Sequence, residues 1–305
     1  MRLNTDHVVS LAIGVCLSTS NREIPAMNDK VVLITGANSG IGRAASLALA
    51  KRGARVVMVA RNQARGEAAR AEIVKESGIT SVDLLLADLS SLESVRQLSR
   101  EFQSRYSRLD VLVNNAGLFN QRRTSTVDGY ENTFETNYLS SFLLTNLLLD
   151  LLKRSAPSRI INVSSVGHYN GHINFEDLNL EKDYGGWKAY GQSKLALVLF
   201  THQLAKKLVG TGVTVNALHP GTVATHIWSR PLGPFGFIMA LPKLFMASPE
   251  KGAETIVYLA TADDAANLTG QYWEKSRVKK SSEESYDEDI AQRLWDVSVK
   301  LTHLE

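Results

Sequence analysis

The sequence predicts one α/β domain, a doubly wound parallel sheet of about seven strands with helices on both faces. Two observations support this prediction. Short β-branched runs alternate with helical patterns of a dozen or more residues, which is typical of a parallel sheet covered on both faces. A glycine-rich turn at residues 36–42 joins the first predicted strand to the first predicted helix. Because crossovers between parallel strands are right-handed, the alternation favours the doubly wound arrangement.

The predicted elements follow one another without an internal repeat or a low-complexity linker, so we expect no internal domain boundary. Strands are predicted where short runs are rich in β-branched and other apolar residues, at 31–35, 55–60, 82–87, 109–113, 159–163, 213–218 and 269–273. Helices are predicted where longer segments are rich in helix formers, at 41–52, 61–77, 92–106, 130–154, 190–208 and 249–259. Residues 275–289 are strongly charged and are expected to form a solvated surface segment.

The composition is that of an ordinary globular protein and excludes some functions. Of the 305 residues, 44% are hydrophobic, and the formal net charge is only +3. Acidic and basic residues are interspersed, whereas a nucleic-acid-binding protein would carry a basic stripe. The single cysteine, Cys16, excludes an intramolecular disulfide and agrees with a reducing compartment.

Residues 1–28 are predicted to be an extension ahead of the domain, which then covers residues 29–305. The apolar run at 8–17 is shorter than the ~20 residues that span a bilayer. It also lacks a clear cleavage site of the kind that follows a signal peptide. We therefore expect a loosely docked extension on a cytoplasmic protein, with weak contact to a membrane surface as the alternative.

The turn after the first strand has the glycine spacing Gly-x-x-x-Gly-x-Gly. Glycines let the backbone approach a pyrophosphate closely, and the helix N-terminus that follows offers free N–H groups and a partial positive charge. Because the turn lies between a strand and a helix, a dinucleotide site of the Rossmann type is favoured over an ordinary turn. The residues expected to bind the dinucleotide here are Gly36, Asn38, Ser39, Gly40, Ile41 and Gly42.

The end of the second strand indicates which dinucleotide is bound. NAD-specific sites often have an acidic residue there, which binds the ribose 2′-hydroxyl. This strand ends in Ala60, Arg61 and Asn62, without an acid. Arg61, with Arg43 as a second candidate, can pair with a 2′-phosphate, although both could equally be solvated arginines at helix termini. The sequence therefore favours NADP(H), and an NAD-linked enzyme is the alternative.

Tyr190 and Lys194 form a candidate acid/base pair. On a helix, residues four apart share one face, with Cβ atoms ~6 Å apart. A nearby ammonium favours the phenolate and lowers the tyrosine pKa, which makes Tyr190 a plausible general acid or base. Such pairs are common by chance, but Ser164 and Ser165 follow the fifth strand, at the carboxyl edge where doubly wound sheets bind ligands.

Together these motifs resemble the short-chain dehydrogenase/reductase family, most closely its retinol dehydrogenase-like branch. The resemblance covers residues 29 to about 273. In chain order, the matching segments are Thr35-Gly36-Ala37-Asn38-Ser39-Gly40-Ile41-Gly42, Asp88-Leu89, Asn114-Asn115-Ala116-Gly117, Asn137, Val163-Ser164-Ser165, Tyr190-Gly191-Gln192-Ser193-Lys194 and His219-Pro220-Gly221-Thr222-Val223.

The resemblance implies an oxidoreductase that interconverts a carbonyl and an alcohol. Tyr190 would exchange the proton with the substrate oxygen, and Lys194 would lower its pKa and hold the nicotinamide ribose. Ser165 would bind the substrate oxygen, with Ser164 as the alternative. Asn137 would hold a water molecule in a proton relay, unless it is a helix-interior residue bonded locally.

The resemblance also implies the remaining contacts to the cofactor. Asp88 would contact the adenine, although it could also cap the following helix. Val223 and Thr225 would meet the nicotinamide amide, and the other implied cofactor residues are Leu89, Asn115, Ala116, Gly117, Tyr190, Pro220 and Gly221.

The apolar segment at 231–247 lies where the family carries a substrate-covering segment. We interpret about 226–248 as a lid over an apolar substrate, such as a retinal/retinol-like compound, a steroid, or a lipid aldehyde or ketone. A subunit interface, in a homodimer or homotetramer, and a membrane-surface contact are the alternatives.

His168 and His172 have helical spacing but lack a nearby cysteine or aspartate, so no metal site is expected. His168 is interpreted as a surface residue, and a position in the lining of the substrate pocket is the alternative. The competing function is a non-catalytic NADP(H)-binding sensor or scaffold on the same fold.

Overall fold

In a computed structural model of the chain, residues 26–221 and 247–304 are described. The strands are β1 (Val31–Thr35), β2 (Arg55–Ala60), β3 (Val82–Leu86), β4 (Val111–Asn114), β5 (Ser158–Val163), β6 (Val213–His219), β7 (Tyr272–Glu274) and β8 (Arg277–Lys279). The α-helices are α1 (Gly40–Ala50), α2 (Gln63–Ser77), α3 (Leu92–Arg105), α4 (Asn132–Phe134), α5 (Ser140–Leu147), α6 (Leu149–Arg154), α7 (Gly186–Lys207), α8 (Pro249–Thr261) and α9 (Glu288–Leu301). The predicted lid and N-terminal extension lie largely outside the described residues.

The strands form one sheet in the order β3-β2-β1-β4-β5-β6-β7-β8. The strands from β1 to β7 are parallel to their neighbours, and β8 runs antiparallel to β7. Strands β2 and β3 are added on one side of β1, and the chain then returns to add β4 and the later strands on the other side. This reversal opens a crevice at the carboxyl ends of β1 and β4, where doubly wound sheets bind ligands. The predicted fold class is confirmed.

Burial on both faces of the sheet explains why its central strands have nearly continuous apolar sequences. Every residue of β1 is buried, as expected for a parallel strand between two helical layers. One apolar cluster includes Phe102, Phe142 and Phe200, and the other includes Leu49 and Trp273. The sheet therefore has a packed core on each side, and the site must lie at its edge.

The segment at 275–289 differs from the prediction of a solvated stretch. It contains β8, which extends the sheet, and it leads into α9, which packs against α7. The exposed charged residues of β8 suit an edge strand, because charge opposes pairing with another chain. Helix α9 buries Ala291 and Leu294, and Trp295 packs against Phe142 and Phe200. Its apolar face therefore completes one of the two cores.

The helix predicted at 130–154 is interrupted. A π-helical turn at Glu135–Leu139 separates α4 from α5, and α6 begins after Leu148. A π-helical turn inserts one extra residue and often occurs at functional sites. Here the turn carries Asn137. Among the helices of residues 26–221 and 247–304, none is both long enough and apolar enough to cross a membrane.

Candidate functional site

The glycine-rich turn leads from β1 into α1 and has no room for a side chain at Gly42. Gly36 and Gly40 have φ of +65° and +54°, in the left-handed region that favours glycine. A Cβ atom on Gly42 would lie 2.4 Å from the carbonyl oxygen of Gly36 and 2.5 Å from Nδ2 of Asn115. That Nδ2 atom donates to the carbonyl of Thr35 at 2.8 Å. The turn is therefore a fixed cradle at a helix N-terminus, which fits a pyrophosphate.

A cleft of about 610 Å³ runs from this turn across the carboxyl edge of the sheet. Its walls include Gly36, Asn38, Ser39, Gly40, Ile41, Gly42, Arg61, Asp88, Leu89, Asn115, Ala116, Gly117, Tyr190, Lys194 and Pro220, all of which the sequence predicts as cofactor residues. Gly221 comes directly after Pro220 in the chain but is not among the lining residues, and Val223 and Thr225 lie outside the described residues. Sequence reasoning missed Phe119 and Thr136, which also line the cleft. Phe119 could have been predicted as a lining residue, because it lies two residues after Gly117 in the loop that follows β4.

The two candidate arginines have different surroundings. Arg61 lines the cleft, its side chain is 69% exposed, and its Nη1 lies 3.9 Å from Oδ1 of Asp88. Arg43 instead pairs with Glu72 and Glu76, at 2.9 and 2.6 Å. Arg61 is therefore the arginine that can reach a ligand in the cleft without breaking a close ion pair.

Asp88 accepts hydrogen bonds from the backbone N–H and the hydroxyl of Ser90, at 3.0 and 2.7 Å. The N-terminal cap of α3 is Ser91, whose hydroxyl accepts from the N–H of Ser94. The alternative interpretation of Asp88 as the helix cap is therefore wrong, because the following turn allows Ser91 to take that position. Asp88 remains in the wall of the cleft.

The ring of Tyr190 is held on several sides. A Cβ atom on Gly167 would lie 3.1 Å from two carbons of the ring. The rings of Phe119 and Trp187 have centroids 5.9 and 6.4 Å from that of Tyr190. Burial raises the pKa of Tyr190, and a hydrogen bond with Ser165 opposes this effect by favouring the phenolate. The expected lowering of the tyrosine pKa is therefore not found, because desolvation dominates.

Lys194 lies one turn further along α7 and is 3% exposed. Its Nζ atom donates to the carbonyl of Val163 at 2.9 Å and lies 5.7 Å from the ring centroid of Tyr190. A Cβ atom on Gly117 would lie 3.2 Å from the same Nζ. Burial lowers the pKa of Lys194 to about 8. An ammonium can donate three hydrogen bonds, so this amine has donors left for a ligand in the cleft.

The two serines after β5 point in different directions. The hydroxyl of Ser164 donates to the backbone carbonyl of Lys194 at 2.8 Å, inside the protein. The hydroxyl of Ser165 accepts from the N–H of Gly167 at 3.2 Å and bonds with Tyr190. The structure therefore brings Ser165, and not the hydroxyl of Ser164, to the tyrosine.

His168 is completely buried, so its interpretation as a surface residue is wrong. Its Nε2 accepts from the backbone N–H of Ser282 at 3.1 Å, which leaves Nδ1 protonated to donate to the carbonyl of Ser165 at 2.6 Å. The C-terminal segment covers this histidine, which the local sequence does not indicate. His172 instead contacts Glu284 at 3.0 Å. Within the described ranges, no group of histidine, cysteine and acidic residues could hold a metal ion.

Asn137 links three parts of the site. Its Oδ1 accepts from the N–H of Leu118 at 2.8 Å, and its Nδ2 donates to the carbonyl of Leu118 and to the hydroxyl of Ser193, both at 3.0 Å. These bonds join the π-helical turn to the loop after β4 and to α7. The alternative of a residue bonded within its own helix is therefore wrong, because its partners are 19 and 56 residues away.

The doubly wound sheet and the glycine cradle define a nucleotide-binding protein, and the Tyr190–Ser165–Lys194 cluster adds a candidate proton-transfer group in the same cleft. The family model described as short chain dehydrogenase matches residues 30–231. The chain belongs to the short-chain dehydrogenase/reductase family, whose members are oxidoreductases that act on alcohols and carbonyls with a nicotinamide cofactor.

Similar proteins agree with this assignment. The chain is 44% identical to mouse retinol dehydrogenase 13 over 96% of its length and 88% of the relative. It is 45% identical to mouse retinol dehydrogenase 14 over 89% of its length and 85% of the relative. Among solved structures, an uncharacterized protein from Mycobacterium paratuberculosis has a TM-score of 0.75 and 33% identity, over 93% of this chain and 97% of that one. The NADP complex of Pseudomonas aeruginosa RhlG has a TM-score of 0.65 and 30% identity, over 81% and 94%.

Proposed function

We propose that this protein is an NADP(H)-dependent enzyme that interconverts a carbonyl and an alcohol on an apolar substrate. One observation carries the proposal: a single cleft joins the glycine cradle at one end to Tyr190 and Lys194 at the other. A dinucleotide that extends from the cradle would bring its reactive ring to the tyrosine. When bound, NADPH supplies the hydride that reduces the carbonyl carbon, and it leaves as NADP⁺.

In this proposal Tyr190 donates its phenolic proton to the substrate oxygen during reduction and accepts it during oxidation. The hydroxyl of Ser165, which donates to Tyr190 in the free protein, turns its single proton to the substrate oxygen when the substrate binds. Two hydrogen bonds to that oxygen stabilise the negative charge that develops on it in the transition state. Burial alone raises the pKa of Tyr190, so the tyrosine needs a positive neighbour to act near neutral pH.

Lys194 is that neighbour. Its ammonium lies beside the tyrosine ring, and its remaining donors hold the nicotinamide ribose. Asn137 holds the backbone of Leu118 through both atoms of its side-chain amide: Oδ1 accepts from the N–H of Leu118, and Nδ2 donates to its carbonyl. The second lone pair of its Oδ1 atom is proposed to hold a water molecule of a proton relay. A Cβ atom on Gly117 would lie 3.2 Å from Nζ of Lys194 and 3.4 Å from this Oδ1, so both polar atoms face the same glycine. Asn137 therefore shapes the pocket around the lysine and helps to resupply its proton.

The preference for NADP(H) rests on Arg61. Its exposed guanidinium lies in the cleft wall at the end of β2, where a 2′-phosphate would be, and a guanidinium binds phosphate in a bidentate manner. Asp88 and Leu89 form the adenine side of the same cleft. The similarity to a protein solved with NADP supports this choice.

The substrate side of the cleft is partly apolar, with Leu118 and Phe119 in its wall. Relatives named retinol dehydrogenase support a retinal/retinol-like substrate. A steroid and a lipid aldehyde or ketone stay predictions from the sequence. Val223 and Thr225 are proposed to meet the nicotinamide amide, and Pro220 and Gly221 are proposed to belong to the same cofactor site. The lid, a homodimer or homotetramer, a membrane-surface contact and the cellular location stay predictions from the sequence.

The test measures oxidation of NADPH with a panel of apolar aldehydes and ketones. Wild type is compared with Tyr190→Phe and with Tyr106→Phe, a control that loses its hydroxyl bond to Asp83 outside the cleft. Tyr190→Phe is expected to lose about 100- to 10,000-fold in rate, whereas the control keeps its activity. Equal rates for Tyr190→Phe and wild type would remove Tyr190 from the reaction. Tight NADPH binding with no turnover over the whole panel would instead indicate a sensor.

The cofactor assignment has its own test, the ratio of NADPH to NADH affinity measured by calorimetry. Arg61→Asp is expected to lower this ratio, because it removes the cation and introduces an acid that can bind a ribose hydroxyl. Arg100→Ala is the matched control, since Arg100 is also exposed and paired with one acid, Glu93, but lies outside the cleft wall. An unchanged ratio in Arg61→Asp would contradict the assignment.

A further inference from the structure

Trp187 is a large apolar residue that is 60% exposed beside the candidate site. It lies in the first turn of α7, three residues before Tyr190, so the two side chains share one face of the helix. Its ring centroid lies 4.9 Å from that of Phe119, and the planes of Trp187 and Tyr190 are nearly perpendicular, at 89°. The three rings pack against one another, and we call them the aromatic wall: Phe119 and Tyr190 line the cleft, and Trp187 extends the group beyond the lining residues.

We propose that Trp187 is a specificity-determining residue, which selects flat, conjugated carbonyl substrates over saturated carbonyls of the same length. This inference rests on the proposed function and concerns the substrate end of the same site. It assigns a role to a residue outside the motifs that carry the chemistry.

The aromatic wall is held in place by its surroundings. A Cβ atom on Gly186 would lie 2.6 Å from the carbonyl oxygen of Asn120 and 3.0 Å from Cζ of Phe119. Only glycine therefore lets the start of α7 approach the loop after β4 so closely. The hydroxyl of Tyr184 donates to the same carbonyl of Asn120 at 2.8 Å. These contacts fix the start of α7, which carries Trp187, against the loop that carries Phe119 before any substrate binds. A surface that is already in place lowers the entropic cost of binding.

The position of the wall determines which part of a substrate it meets. A carbonyl at the Tyr190 hydroxyl has its next few carbon atoms within reach of the neighbouring rings. Gly167 closes one side of the Tyr190 ring, because even a Cβ atom there would be 3.1 Å from it. Phe119 lines the cleft, and Trp187, which is 60% exposed, packs on it, so both rings offer π-surface near the tyrosine. A chain of conjugated double bonds is flat and polarisable, and it packs against such a surface better than a flexible saturated chain does.

The test compares sorbaldehyde with hexanal, which have the same number of carbon atoms but differ in conjugation. For each protein we measure the ratio of the two kcat/KM values with NADPH, so that intrinsic reactivity cancels between proteins. The proteins are wild type, Trp187→Leu, Trp187→Phe and Val209→Ala. Val209 is the control, because it is also an exposed apolar residue but follows the far end of α7. Calorimetry of both aldehydes with the NADP-loaded proteins is measured in parallel and needs no turnover.

Trp187→Leu is expected to lower the preference for sorbaldehyde by about three- to tenfold in kcat/KM and in affinity. Trp187→Phe keeps an aromatic ring and should retain most of the preference, and Val209→Ala should equal wild type. An unchanged ratio in Trp187→Leu, or an equal loss for both aldehydes, would overturn the inference. If no protein turns over either aldehyde, the proposed function fails on these substrates, and the affinity ratio alone decides on Trp187.

Discussion

The amine of Lys194 lies 5.7 Å from the ring centroid of Tyr190, on the same face of α7 and inside the protein. Burial acts on the two groups in the same sense, since it disfavours the charged form of each. The pKa of the tyrosine is raised and that of the lysine is lowered to about 8. A phenolate and an ammonium can therefore stabilise each other here, whereas either charge alone is costly.

Lys194→Met is expected to lower kcat by about 100-fold or more and to move the tyrosine limb of the pH–rate profile to higher pH. The cause is loss of the positive charge that favours the phenolate. The measurement is kcat across pH, with Lys206→Met as the control, because Lys206 lies on the same helix but pairs with Glu288 at the surface. A profile that keeps its position in Lys194→Met would contradict this role.

Ser165→Ala is expected to affect mainly the activity, and Ser164→Ala mainly the stability. Ser165→Ala should lower kcat by about tenfold to 100-fold with little change in thermal stability, because it removes a hydrogen bond to the reacting oxygen. Ser164→Ala should keep more of kcat and lose about 1 kcal/mol of stability, because its buried bond to the Lys194 carbonyl is lost. Steady-state kinetics and thermal melts of both variants check this. A larger loss of kcat in Ser164→Ala would reverse the assignment.

Gly42→Ala is expected to weaken NADPH binding by at least about tenfold and to lower the melting temperature. The new Cβ atom would collide with the carbonyl of Gly36 and the side chain of Asn115, so the cradle must open. Gly185→Ala is the matched control, since its Cβ atom would meet nothing closer than 3.6 Å. Calorimetric titration with NADPH measures the effect, and equal affinities for the two variants would show that the cradle tolerates a side chain.

Glu135 is expected to make stability depend on pH. Burial, with Asp128 and Asp88 nearby, raises its pKa from 4.5 to about 8. Between these values Glu135 keeps a proton in the folded protein that it releases in the unfolded chain, so its contribution to the free energy of unfolding falls as pH rises from 4.5 to about 8 and levels off above that. Glu135→Gln removes this ionisation and should make the fall shallower.

Denaturant titrations of wild type and Glu135→Gln across this pH range provide the measurement. Glu101→Gln is the control, because Glu101 pairs with Arg105 on the surface of α3 and should not alter the slope. Identical pH slopes for wild type and Glu135→Gln would mean that Glu135 is ionised at neutral pH in the folded protein.

Local patterns were enough to predict the centre of the fold and the main groups of the cleft. The apolar run of β1 is buried on both sides of the sheet, and the glycines that follow it have the positive φ of a tight turn. This stretch of sequence therefore indicated both a central strand and a pyrophosphate-binding turn. Tyr190 and Lys194 lie four apart on one helix, and helical geometry alone predicts that they are neighbours.

Features that depend on distant parts of the chain could not be predicted. His168 is buried because the segment around Ser282 folds over it, and β8 is a strand because β7 supplies a partner. The direction of the Tyr190 pKa shift was predicted wrongly, since it depends on how completely the folded protein desolvates the ring. No sequence pattern indicated a role for Trp187. Its position relative to Phe119 depends on how the start of α7 meets the loop after β4, which is decided only in the folded protein.

Transfer of deuterium tests the central claim most directly. NADPH with deuterium at both C4 positions of the nicotinamide is incubated with an apolar aldehyde, and the alcohol product is analysed by mass spectrometry. The account predicts one deuterium on the former carbonyl carbon with wild-type protein, and almost none of this product with Tyr190→Phe. Alcohol without deuterium, or the same labelled yield from Tyr190→Phe, would contradict it.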